Sequence, residues 1–102
     1  MGDTALIEAL GDHTFVVHLL DLEGEAVEVR VYASPAVLVR LGAVNVLDEH
    51  AVVEATTAYL LARQRADELP PFLELDDVAA AYDEYVADIE HRLRRGEAHS
   101  DQ

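Results

Sequence analysis

The chain has 102 residues, with 21 Asp or Glu against 7 Lys or Arg, and its formal net charge is −14. Hydrophobic residues make up 51%, so it can bury a core, unlike an acidic disordered tail. The charge opposes direct binding to nucleic acid or anionic lipid. The absence of cysteine excludes disulfides and thiol chemistry, and the absence of lysine excludes Schiff-base catalysis.

The length accommodates one domain over residues 1–102, with strands in 4–33, a helical part in 34–95 and a flexible tail in 96–102. Residues 4–10 are ambiguous. Leu6, Ile7 and Leu10 suit a short helix closed by Gly11 about as well as a strand turning at Gly11-Asp12. The strand is preferred, because a third strand makes the following hairpin independently stable. Thr14 to Leu20 is rich in β-branched residues. Ala26 to Tyr32 alternates, with Val27, Val29 and Val31 on one face and Glu28, Arg30 and Tyr32 on the other. Asp21 to Gly24 suits the connecting turn. His18 shares its face with Val16 and Leu20 and is expected on the open sheet face or hydrogen-bonded in the core.

Ser34-Pro35 is a helix start, with Ser34 as cap, and Gly42 the matching stop. The next helix is predicted from Asp48, as cap, to about Ala66. Its large stripe is Val52, Val53, Thr56, Tyr59 and Leu60. Ala51, Ala55, Ala58 and Ala62 form a second stripe, expected to admit a close neighbour, and a polar strip runs through His50, Glu54 and Thr57. Pro70-Pro71 breaks this helix, and Leu69, Phe72, Leu73 and Leu75 suggest an ordered crossing. A last helix is predicted over 77–95, buried through Val78, Tyr82, Tyr85, Val86, Ile89 and Leu93 and closed by Gly96. Asp88–Arg92 and Glu90–Arg94 stand in the favourable i,i+4 order. The fold class is therefore α+β: a small antiparallel sheet of two or three strands followed by three helices packed on one face. The expected core is Val27, Val29, Val31, Val52, Val53, Leu60, Tyr82, Ile89 and Leu93.

Two patterns could bear metal chemistry. His50 and Glu54 lie one helical turn apart, but the pair leaves half a coordination shell undefined. Glu84, Asp88 and His91 share a stripe, with the carboxylate-x-x-His spacing of di-iron bundles. That stripe points away from the apolar one and has no second copy, so a solvated face is the better reading of both patterns. No catalytic residue and no cofactor is predicted. Ser34 is explained as a cap, Ser100 lies in the expected tail, and the glycines form no phosphate cradle.

The leading functional expectation is a small acidic, non-enzymatic interaction or regulatory module that binds a protein partner of basic character, with a homodimer as a further possibility. The alternative is a small enzyme or ligand- or metal-binding domain using His and carboxylates. A pocket holding a His with two carboxylates would favour the enzyme, and an acidic surface with shallow grooves the module. A mimic of the DNA backbone is a third reading, against which Arg92, Arg94 and Arg95 interrupt the acidic field. The sequence lacks an apolar run long enough for a membrane span, and its N-terminus, MGDTALIEALGD, lacks the basic start of a secretory signal. A cytoplasmic, bacterial-type protein is the expectation.

Overall fold

The computed structural model describes residues 6–43 and 46–100, with the side chains of 46, 47 and 94–100 outside the description. In chain order the elements are β1 (Leu6–Gly11), β2 (Thr14–Leu20), β3 (Ala26–Tyr32), α1 (Pro35–Leu41), α2 (Val46–Leu61), a 3₁₀ turn (Ala66–Glu68), β4 (Phe72–Glu74), α3 (Leu75–Ala81) and α4 (Tyr85–Ser100). The class is α+β, as expected, but the sheet is mixed and has four strands in the order β1-β2-β3-β4. There are four α-helices rather than three.

β1, β2 and β3 form an antiparallel meander. Thr4 and Ala5, included in the expected strand region, lie outside the described residues. The β1–β2 loop places both Asp12 (φ 52°) and His13 (φ 63°) in the left-handed region, the signature of a two-residue hairpin turn whose twist matches that of the strands. The β2–β3 turn is held by Asp21, whose Oδ1 accepts from the Glu23 and Glu25 amides at 2.9 and 2.8 Å.

The ordered crossing expected around Phe72 takes the form of a short strand, β4. It pairs in parallel with β3, Val31 opposite Leu73, and the Arg30 amide donates to the Pro71 carbonyl at 2.9 Å. Parallel pairing requires a long crossover, which α1 and α2 supply. Pro70 and Pro71 are compatible with the strand because they precede it at the sheet edge.

The helices differ from expectation in four places. Ser34 does not cap α1 with its side chain; its Oγ accepts from the Asp76 amide at 3.1 Å, so it serves the start of α3 instead. α2 begins at Val46, two residues before Asp48, and ends at Leu61 rather than Ala66. The expected last helix is two helices, because Tyr82 adopts an extended conformation (φ −125°, ψ 108°). The break lets α3 pack against α1 and β4 while α4 turns onto α2. Gly96 does not close α4, which continues to Ser100; the rest of the expected tail, 101–102, lies outside the described residues.

The core lies between one sheet face and the helices. Phe15, Val17, Leu19, Val29 and Val31 are buried from the sheet, and Val37, Leu38, Val52, Val53, Tyr59, Leu60, Leu75, Val78, Tyr85 and Ile89 from the helices. Of the expected core, Val27, Tyr82 and Leu93 are only half-buried. The alanine stripe of α2 is not closely approached: Ala58 and Ala62 are exposed, and Ala51 and Ala55 are half-buried. Thr57, assigned to the polar strip, is instead buried and bonds the Val53 carbonyl at 2.9 Å.

Candidate functional site

The helices cover one face of the sheet, and the alternation of strand side chains leaves the other open. Phe15, Val17 and Leu19 are buried, whereas Thr14, Val16 and His18 between them are half-exposed. The register arranges the open face in rows. Leu6, His18 and Glu28 form one, Glu8, Val16, Arg30 and Phe72 the next, and Thr14, Tyr32 and Glu74 a third. Apolar surface stands free at Leu6 (67% exposed), Leu20 (69%) and Phe72 (48%).

His18 sits between two carboxylates on this face. Its Nε2 is 3.2 Å from Glu8 and its Nδ1 3.3 Å from Glu28. Leu6 and Glu28 flank it in register, and Glu8 reaches it from the adjoining row. With both ring nitrogens engaged, neither is left aimed at open space for a metal ion or a substrate proton. The sequence places His18 on a strand face, but this trio depends on a strand register that spacing alone does not define.

The candidate residues named above do not converge. His50 is half-buried and Glu54 exposed on α2. Glu84 lies in the break before α4, so Glu84, Asp88 and His91 do not share one helix. Asp88 accepts from Arg92 Nε at 2.8 Å, as the expected i,i+4 pair, and His91 is exposed. The side chain of Arg94, and with it the expected pair to Glu90, lies outside the described residues. Among the described residues no group of three or more His, Asp or Glu is placed to hold a metal ion.

Elsewhere the polar groups serve the fold. His13 Nδ1 lies 3.1 Å from both carboxylate oxygens of Glu49, joining the β1–β2 turn to the first turn of α2. The two residues lie 36 apart in the chain, so no local sequence pattern links them. Tyr85 is fully buried and its phenol lies 2.6 Å from Thr56 Oγ1. Burial pushes this phenol up to about 12, opposed by the Thr56 hydrogen bond and reinforced by Tyr59, so it stays un-ionised near neutrality. The Tyr59 ring meets those of Tyr82 and Tyr85 edge-on at 5.6 and 5.4 Å, and the Arg63 guanidinium stacks 3.7 Å over Tyr59.

A small cavity of about 10 Å³ lies between the sheet and α2, bordered by Val17, Leu19, Val29, Thr56, Thr57 and Leu73. That is room for about one water at most. Among the described residues no helix is long and apolar enough to cross a membrane. No protein-family model matches the chain, and neither the curated proteins nor the solved structures include a significant match.

Proposed function

We propose that this chain is a small acidic, non-enzymatic interaction module that binds a protein partner through its sheet. The carrying observation is the open sheet face, where Leu6, Leu20 and Phe72 remain exposed around half-buried Val16 and Tyr32. Apolar groups held on a rigid sheet and rimmed by charge suit protein association. The net charge of −14 favours a basic partner over nucleic acid. A homodimer would use the same kind of surface. Cytoplasmic residence belongs to this reading. The test is affinity isolation from the native host with the wild type and with Val16→Glu/Phe72→Asp, both checked for folding by circular dichroism. Enrichment of the same protein by the wild type and its loss from the variant is expected. Equal enrichment by both would remove the sheet face from the reading.

A further inference from the structure

We propose that the free edge of β1 takes up an extended, basic segment of the partner by strand addition. The inference rests on the module reading and specifies where and how the partner binds.

The two edges of the sheet differ. β4 has three residues, follows Pro71 and runs directly into α3, so it offers little to a new strand. β1 contains no proline or lysine, pairs regularly from Leu6 to Ala9 before a register shift between Ala9 and Gly11, and is exposed along its length except at half-buried Ile7. The pairing pattern identifies its free groups. The Ala33 amide donates to the His13 carbonyl, so His13 faces β3. In an antiparallel ladder the direction alternates by residue. Phe15, Val17 and Leu19 therefore bond β3, while Val16 and His18 bond β1 through their partners Glu8 and Leu6. The N–H and C=O groups of Ile7 and Ala9 consequently point away from the sheet. Among the described residues no backbone bond reaches them from another element.

The side chains define the occupant. An incoming strand bonded to Ile7 and Ala9 places one residue opposite Glu8 in a non-hydrogen-bonded pair, where side chains stand closest. Glu8 is 65% exposed there, Glu28 joins the same His18 at 68% exposed, and β1 carries no cation. Lys or Arg opposite Glu8 complements this charge. Exposed Leu6, at 67%, accepts an apolar neighbour beside that position. A second copy of the chain is the poorer occupant. The antiparallel register that overlaps residues 6 to 10 sets Glu8 against Glu8, between two chains each of charge −14.

The test uses acetylated nine-residue peptides with Lys or Arg at the centre and both ends and Val, Ile or Thr between, titrated into the ¹⁵N-labelled protein. Matched peptides carry Glu at the basic positions or N-methyl amides along one edge. Binding is expected with shifts centred on Leu6 to Leu10. Ala9→Pro, which removes an outward N–H without a ladder bond, is expected to weaken binding at least about tenfold, as are N-methylation and Glu8→Lys. The N-methylated peptide tests the bonds independently of any variant's folding.

Absence of binding below about 1 mM across the basic panel would overturn the proposal, as would equal binding of the Glu peptides or an unaffected Ala9→Pro. So would a wild-type homodimer dissociated by Ala9→Pro, which assigns the edge to a second copy. A native partner held equally by Ala9→Pro but lost from Val16→Glu/Phe72→Asp would overturn strand addition alone and leave the module reading standing. Loss of the reading itself would appear as equal retention by both variants.

Discussion

Replacing Thr56 by Val separates the two halves of a buried side-chain hydrogen bond between α2 and α4. The Tyr85 phenol and the Thr56 hydroxyl are 2.6 Å apart, at 0% and 2% exposure, so neither has ready recourse to solvent. Val preserves the volume of Thr but leaves the phenol unpaired, a cost of about 1–3 kcal/mol. Tyr85→Phe leaves the Thr56 hydroxyl, which can turn back to the carbonyl four residues earlier, as Thr57 does to Val53. It should therefore cost less than Thr56→Val. In the double variant both polar groups are gone, so its loss should fall below the sum of the singles by at least about 0.5 kcal/mol. Urea and thermal melts measure this, at about 4–8 °C per kcal/mol for a domain near this size. Additive losses, or Tyr85→Phe as the costlier single change, would refute the argument that the bond matters mainly by satisfying the buried phenol.

The same phenol gives an alkaline signature. Its folded value of about 12 lies above the unfolded 10.0, so the folded state retains the proton longer. Its contribution is fully present below pH 10 and should fall by about 2–3 kcal/mol as pH rises to about 12, a loss that Tyr85→Phe removes from the pH dependence of urea midpoints. Ile89→Ala, at a fully buried site, should cost about 2–5 kcal/mol; a loss under about 0.5 kcal/mol in the same melts would contradict that burial. Ala58→Leu and Ala80→Leu should both stay within about 0.5 kcal/mol of the wild type, because both positions are exposed; a larger loss at Ala58 would signal a neighbour on that stripe. The melting temperature should rise between 10 and 150 mM NaCl, since screening relieves the repulsion of a charge of −14; a fall would mean that ion pairs dominate.

What the sequence made legible divides by the range of the interaction that determines it. The hairpin of β2 and β3 follows from a β-branched, apolar run in β2, a strict period of two in β3 and a turn whose Asp21 caps its own backbone, all within a few residues. β4 does not, because three residues carry no readable period and Phe72 to Glu74 become a strand only when β3 presents a free edge 42 residues earlier in the chain. The division of the last helix has the same origin. Val78, Tyr82, Tyr85 and Ile89 have the spacing of one continuous stripe. The pull of Tyr59 on both tyrosine rings, and of Thr56 on the Tyr85 phenol, comes from another element. Ser34 shows how a correct local signal can be redirected: a Ser before Pro at a helix start was bonded to α3 instead, across 42 residues. The open face follows the same logic. The alternation around Val16 and His18 was visible, as was the placement of His18 on a strand face. The carboxylates on either side of it, and the outward amides of Ile7 and Ala9, emerge only from the register. The part of the molecule proposed to meet a partner is thus specified by strand pairing, which composition and periodicity do not encode.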